Sequence, residues 1–236
     1  MKIVAFTGGN GFLGTELKKV KFTFKPVFLT RKDIDITNEG SVISCLKDVN
    51  PDLVVHLAAL TDVNMGDWSK QSFYEVNAIG TKNVAKHSKK ILYWSTEYVF
   101  DGTRGYYNEL DYPNPVNFYG LSKLLGEKEV LAVGGKVIRT AMKPKPYKHP
   151  VVPEGMYSSG GYIDDMVKEY TLAIENYEQL PSLVHIGLKR RLLFDLASET
   201  RQVNYCSIDS LPVRLPVDAS LDCSLWNRIK KRLYHA

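Results

Sequence analysis

The first fourteen residues constrain the fold more than any other stretch. After Lys2 comes a short apolar run, Ile3-Val4-Ala5-Phe6, which passes through Thr7 into the glycines Gly8, Gly9, Gly11 and Gly14. A run without polar alternation fits a strand buried on both faces of a parallel sheet. From Phe12 onward, Phe12, Leu13, Leu17 and Val20 recur at helical spacing, with Lys18 and Lys19 on the outside. The predicted order is strand, glycine turn, helix. In that context the glycines read as G-x-G-x-x-G (Gly9, Gly11, Gly14) or as G-x-x-G-x-x-G (Gly8, Gly11, Gly14). Such a turn lets a pyrophosphate approach backbone N–H groups at a helix N-terminus. The bland alternative is a plain strand-to-helix turn, which rarely needs glycines this dense.

The rest of the composition narrows the class. The 236 residues suffice for one large domain, or one domain with a small appendage. A net charge of +5 with dispersed lysines argues against nucleic acid and leaves anionic small molecules as partners. No apolar run approaches the ~20 residues of a membrane span. The run after Lys2 is too short for a signal peptide and breaks into glycines. A cytoplasmic protein with no membrane partner is therefore expected. Cys45, Cys206 and Cys223 are scattered and form no C-x-x-C, so neither a metal site nor a disulfide framework is expected.

Taken in order, Lys25–Thr30 reads as a second strand. Its end is where a dinucleotide fold chooses between NAD and NADP. Arg31 and Lys32 come first there, followed by Asp33 and Asp35. A guanidinium suits a 2′-phosphate, which favours NADP(H), with NAD(H) as the second option. The alternative is a solvated charged loop. Asn38–Asn50 reads as a helix stopped by Pro51, and Asp52–Leu60 as a third strand ending in the small residues Ala58 and Ala59. Those alanines leave room for a dinucleotide, or simply pack. His56, inside the buried run, reads as a core histidine. Ser69–Lys90 is helical by spacing, with Asn77 in its middle bonding to a neighbouring loop.

Ile91–Trp94 reads as a fourth strand with Ser95, Thr96, Glu97 and Tyr98 at its carboxyl end. The crevice of a parallel sheet lies outside such ends, so the hydroxyls of Ser95 and Thr96 are placed to bond a substrate oxygen. A turn-rich loop leads to Tyr119 and Lys123, four apart on one helical face. A lysine beside a tyrosine favours phenolate and would lower its pKa, suiting it to proton exchange at a carbonyl. The pair alone says little, because a chain rich in both residues yields one by chance. Its position beyond a hydroxyl-bearing strand end gives it weight.

Five stretches then follow in one order. They are Gly8-Gly9-Asn10-Gly11-Phe12-Leu13-Gly14, His56-Leu57-Ala58-Ala59-Leu60-Thr61, Val76-Asn77-Ala78-Ile79-Gly80-Thr81, Ser95-Thr96-Glu97-Tyr98-Val99-Phe100-Asp101-Gly102 and Tyr119-Gly120-Leu121-Ser122-Lys123. This set resembles the extended short-chain dehydrogenase/reductase family, and within it the branch that reduces nucleotide-activated keto-sugars. The resemblance covers residues 1 to about 140. It implies an α/β fold, a doubly wound parallel sheet of the Rossmann type, with a small C-terminal substrate lobe. The dinucleotide-binding domain would span 1–140, and the lobe, interleaved with the last strands of the sheet, 141–236.

The resemblance also implies roles. Thr96 would bond the substrate carbonyl, Tyr119 would protonate it, and Lys123 would bond the nicotinamide ribose and tune Tyr119. The cofactor would be held by Gly8, Asn10, Gly11, Phe12, Leu13 and Gly14 at the turn, and by Arg31, Asp35 and Ile36 after the second strand. Ala58, Ala59, Thr61, Asn77, Tyr119 and Lys123 would complete its site. The implied substrate is a nucleotide sugar, reduced at its 4-keto group, and a homodimer is compatible with the family.

Two departures stand out. Glu97 replaces the aspartate usual in the reductase branch, and the C-terminal part is short. Sugar-nucleotide dehydratases carry Thr-Asp-Glu here, which this chain lacks. An epimerase or dehydratase of the same family, or a non-catalytic NADP-binding regulatory subunit, are the alternatives. Downstream, Lys136–Thr140 reads as a fifth strand. Met142–Pro150 is a basic loop that either faces a nucleotide diphosphate or is merely solvated. Helices are expected over 162–177, 190–199 and 221–233, with a strand over 183–186.

Overall fold

The computed structural model describes residues 1–63 and 69–235. The chain runs β1 (Ile3–Thr7), α1 (Phe12–Leu17), β2 (Lys25–Phe28), α2 (Glu39–Val49), β3 (Leu53–His56) and α3 (Lys70–Phe73). A π-helical segment (Tyr74–Gly80) joins α3 to α4 (Thr81–His87), followed by β4 (Ile91–Thr96), α5 (Phe118–Ala132) and β5 (Lys136–Thr140). Short strands come next: β6 (Met142–Lys143), β7 (Val151–Pro153), β8 (Tyr157–Ser158) and β9 (Gly161–Tyr162). Then come α6 (Ile163–Glu175), β10 (Leu183–Ile186), β11 (Arg191–Leu192), α7 (Leu193–Ser198), β12 (Asn204–Cys206) and α8 (Ser224–Tyr234).

Six strands form one parallel sheet in the order β10-β5-β4-β3-β1-β2. Strand order reverses between β1 and β3, so the sheet is doubly wound, as the glycine turn foretold. Side chains alternate across it. Val4, Phe6, Leu53, Val55, Leu92, Trp94 and Ile138 pack with α1, α6 and α8, whose contributions include Leu17, Tyr170 and Trp226. Ala5, Val54, Ile91, Tyr93 and Val137 face the other way, onto α2, α4 and α5 through Val42, Leu46, Val84 and Val130. Both faces are covered, which is why these strands read as continuous apolar runs. Local signals set the helix ends. The Asn38 side chain accepts from Ser41 N–H to start α2, and Asn50 ends it at a φ of +47°.

The C-terminal part returns α6, β10 and α8 to this core and builds a second apolar cluster. Tyr147, Val152, Met156, Tyr162, Leu193, Leu196, Ala197 and Val203 pack there. It is framed by the two-stranded ladders β6–β9, β7–β12 and β8–β11. Periodicity could not see these ladders, since strands of two or three residues carry no pattern. The helix expected from Arg190 therefore begins at Leu193, after Arg191 and Leu192 pair with Ser158 and Tyr157. The last helix begins at Ser224, because Leu221 is held by Ser159 Oγ. The helix expected over 69–90 is split into three by the π segment. Among the described residues no helix is long and apolar enough to cross a membrane.

Two histidines are sealed in this fold, His56 at the end of β3 and His185 on β10. Burial drives the pKa of each from an ordinary 6.5 to about 3, with Lys123 and Arg139 as the further causes respectively. Each is neutral when folded, while the unfolded chain takes up a proton below about 6.5. Their contribution is thus complete above that pH and is lost as pH falls toward about 3. Urea unfolding should show stability dropping by roughly 1.4 kcal/mol per pH unit per histidine below about pH 6. The slope should flatten in His56→Gln/His185→Gln; an equal slope in that variant refutes the assignment.

Candidate functional site

β1 delivers its carboxyl end to the glycine turn. Gly8 takes a φ of +67°, a left-handed value that glycine adopts without strain. A Cβ on Gly8 would stand 2.8 Å from the Ala58 nitrogen. The Gly11 N–H donates to the Gly8 carbonyl at 2.8 Å. Gly14 presses so close that a Cβ there would meet the Gly8 oxygen at 2.5 Å. α1 therefore starts hard against the ends of β1 and β3. No side chain caps its first turn and no acidic residue lies in it, which suits that end to an anion.

Thr7 ties the two strand ends together. Its Oγ1 accepts the N–H groups of Leu57 (3.1 Å) and Ala58 (3.2 Å) and lies 2.7 Å from His56 Nδ1. His56 Nε2 reaches Thr81 Oγ1 at 3.1 Å. His56 is the core histidine the sequence suggested, doing its bonding away from any ligand.

At the end of β4, Ser95 and Thr96 part company. Successive strand side chains point to opposite sides. The Ser95 hydroxyl donates to Glu127 Oε1 at 2.5 Å, so it is committed to the core, contrary to the expectation that it serves a substrate. Thr96 Oγ1 instead accepts the Tyr98 N–H at 3.2 Å and lies beside the Tyr119 phenol on the cleft wall. Tyr119 arrives there because the Asn117 side chain accepts the Gly120 N–H at 2.8 Å and starts α5 at Phe118. The rings of Tyr98 and Phe73 stand 6.1 Å and 6.2 Å from that of Tyr119. Lys123, one turn on, is buried, with its ammonium 4.1 Å from the centre of the Tyr93 ring.

The electrostatics differ from the expectation of a lowered phenol. Burial pushes Tyr119 up to about 12, against the opposing hydrogen bond with Thr96. Burial also pushes Lys123 down to about 7, with Glu127 pulling it back up. In a dry pocket, loss of hydration outweighs the single neighbouring charge that sequence spacing reveals. Glu97 is enclosed as well. Burial raises it to about 7, opposed by Lys143 and by the Ser158 hydroxyl, which donates to both carboxylate oxygens at 2.8 Å and 3.0 Å. Its extra methylene reaches the C-terminal lobe.

All this surrounds a cleft of about 530 Å³. Its walls include Gly11, Phe12 and Leu13 of the turn, Ala59 and Thr61 after β3, and Thr96, Glu97, Tyr119 and Lys123. Tyr147, Met156, Leu193, Cys206 and Leu215 close it from the lobe, and Lys143, Lys148 and His149 of the basic loop also face it. Tyr147 lies in the basic loop and Leu193 in a stretch, 192–197, that also resembles the reductase branch, whereas Met156, Cys206 and Leu215 carried no motif and were missed.

The other expected residues stand behind this wall. Gly8 and Gly14 shape the turn, and Ala58 packs on the core cluster of the α2 face. Asn10 is exposed and accepts from Lys18 Nζ at 2.7 Å. Ile36 is buried, with its carbonyl taken by Asn83. Asp35 is tied to the N–H and hydroxyl of Thr37, and Arg31 is exposed. Asn77 does bond a neighbouring loop. Its side chain accepts from Leu60 N–H (2.8 Å) and donates to the Leu60 carbonyl (2.9 Å) and to Ser122 Oγ (3.0 Å).

Comparison with known proteins agrees with this geometry. The sequence profile of the RmlD substrate binding domain matches residues 1–143. The chain is 34% identical over 151 residues to dTDP-4-dehydrorhamnose reductase of Aggregatibacter actinomycetemcomitans, covering 60% of this chain and 51% of that protein. It is 32% identical over 151 residues to methionine adenosyltransferase 2 subunit beta of Bos taurus, covering 58% and 45%. Among solved structures, dTDP-4-dehydrorhamnose reductase from Bacillus anthracis in complex with NADP superposes with a TM-score of 0.85 at 25% identity, covering 100% of this chain and 99% of that one. The chain spans about half the length of the curated relatives it matches. With the profile matched over more than half of its length and the glycine turn and Tyr119–Lys123 pair in place, the chain belongs to the RmlD substrate binding domain family, within the extended short-chain dehydrogenase/reductases.

Proposed function

We propose that the protein is an NADP(H)-linked reductase of the 4-keto group of a nucleotide-activated deoxysugar. The observation that carries this reading is the meeting of Thr96, Tyr119 and Lys123 with the glycine turn on one cleft. The relatives named dTDP-4-dehydrorhamnose reductase support it. A dinucleotide fits the residues present, since the turn holds its backbone where any Cβ on Gly8 or Gly14 would collide, and α1 opens without a capping side chain. Gly8, Asn10, Gly11, Phe12, Leu13 and Gly14 would hold its pyrophosphate end. Arg31 would take the 2′-phosphate, with Asp35 and Ile36 beside it. Ala58, Ala59, Thr61 and Asn77 would border it, and Tyr119 and Lys123 would meet its nicotinamide end. When bound, the reduced cofactor supplies the hydride.

Everything else falls to the chain. Tyr119 keeps its proton at neutral pH, because burial holds the phenol near 12, so it enters the reaction as an acid. Thr96 orients that hydroxyl and would share the substrate oxygen. Lys123, when charged, would stabilise the phenolate left behind. The lobe contributes apolar side chains to the wall, and Lys143 and Lys148 give the cleft a cationic rim for a diphosphate, with His149 held below the ordinary histidine range by burial and those lysines. The division of labour is residues 1–140 for the cofactor and 141–236 for the sugar. A cytoplasmic location accords with this chemistry.

The NADP preference rests on charge. Asp33 is occupied by the N–H and hydroxyl of Thr30, and Asp35 by Thr37, so both carboxylates are already bonded. Arg31 and Lys32 are exposed. A non-catalytic subunit is a second reading, supported by the likeness to methionine adenosyltransferase 2 subunit beta.

Two measurements test the proposal. Tyr119→Phe removes only the hydroxyl. Turnover of a nucleotide 4-keto sugar should fall by about 10²–10⁴-fold while NADPH affinity is retained. Full turnover in that variant defeats the mechanism, and a wild type that binds NADPH yet reduces no keto-sugar hands the case to the subunit reading. Replacing Arg31 and Lys32 with alanine should weaken NADPH more than NADH in a binding titration. Equal loss for both cofactors rejects the 2′-phosphate assignment.

A further inference from the structure

Tyr119, Lys123 and Glu127 are spaced four apart along α5, so they share one face of the helix. The last of the three has no place in the reading above. Glu127 is 1% exposed and Lys123 3% exposed. Arg139 on β5 donates to Glu127 through Nε (2.9 Å to Oε1) and Nη2 (2.7 Å to Oε2). Ser95 on β4 donates a third bond, at 2.5 Å. The carboxylate is therefore held by three bonds in a buried site, one turn along α5 from Lys123.

We propose that Glu127 is a positioning residue for the reaction centre, the carboxylate that keeps Lys123 charged and seated against Tyr93, with Arg139 and Ser95 fixing it for that task.

The charge count supports this. Glu127, Arg139 and Lys123 sum to one positive charge. Without the carboxylate, the enclosed Arg139 and Lys123 would be left without their countercharge, and the lysine is the one able to shed its proton. The surrounding groups leave no substitute. Tyr119 on α5 and Tyr93 on β4 are neutral phenols raised by burial. His56 on β3 is neutral, and Arg139 on β5 is a cation. Glu97, after β4, is bound to Ser158 and raised to about 7. On α3, the π segment and α4, Lys70, Tyr74, Glu75 and Lys82 are exposed, and Lys86 and His87 pair with Glu39. Burial lowers Lys123 to about 7 even with Glu127 in place, so a small further drop empties its charge at neutral pH.

This role for catalysis rests on the reductase reading, but its core can be measured without substrate. In protein labelled with ¹³C at lysine Cε, the Lys123 signal is assigned by its loss in Lys123→Met, and its titration midpoint is followed by NMR. Glu127→Gln keeps one acceptor oxygen, for Ser95 and Arg139 Nε, while losing the charge and the acceptor for Nη2, and should move the midpoint down by about 1–3 pH units. Arg139→Gln removes the cation that neutralises Glu127 and should move it up. The basic limb of the NADPH-oxidation profile should follow the midpoint, with Glu127→Gln regaining rate at lower pH; a merely structural role would lower the rate equally at every pH. An unmoved midpoint in a folded variant overturns the proposal, and so does failure of both variants to fold. A moved midpoint with no keto-sugar reduced by the wild type supports the positioning and counts against the reductase reading alone.

Discussion

A charge taken out of water must find its partner on the spot, and the centre of this protein is arranged around that demand. Glu127 and Arg139 are both enclosed between α5 and the sheet. Breaking such a pair by removing one member typically costs about 3–5 kcal/mol, since the other is left uncompensated. The pair therefore fixes how α5 lies on β4 and β5. The helix also lies close, because at Gly126 a Cβ would run into Tyr93 Oη at 2.5 Å and the Asn77 carbonyl at 2.6 Å. Tyr119 and Lys123 inherit their positions from this docking.

Dehydration acts in opposite directions on the two groups that matter most. It raises the phenol of Tyr119 and lowers the ammonium of Lys123, in each case toward the neutral form. The resting protein thus holds a protonated acid beside a base whose charge is finely balanced. Glu97 is drawn into the same pocket, and its bond to Ser158 couples the end of β4 to the C-terminal lobe.

The sequence disclosed what is periodic or punctuated. Four glycines after an apolar run placed β1 and α1, and alternating burial followed from strands covered on both faces. Thr96, Tyr119 and Lys123 were singled out by strand-end position together with the family resemblance, and they do line one cleft. What stayed hidden depends on three-dimensional closure. Ser95 looked equivalent to Thr96 until Glu127, thirty-two residues on, claimed its hydroxyl. The sign of the Tyr119 shift follows from burial, which no neighbouring residue in the chain reveals. The lobe ladders, two or three residues long, lie below the length at which alternation can be recognised.

The widened helix of Tyr74–Gly80 has a consequence for chain length. A residue wound i→i+5 lags behind the ordinary α turn, in which each step rotates by about 100°. Deleting one residue from this stretch would let it relax to the locally preferred winding while swinging its upstream half around relative to α4. Asn77 could then no longer face Leu60 and Ser122 together. The stretch works as a counted spacer, in which side chains on its outer face can be exchanged freely while the number of residues cannot.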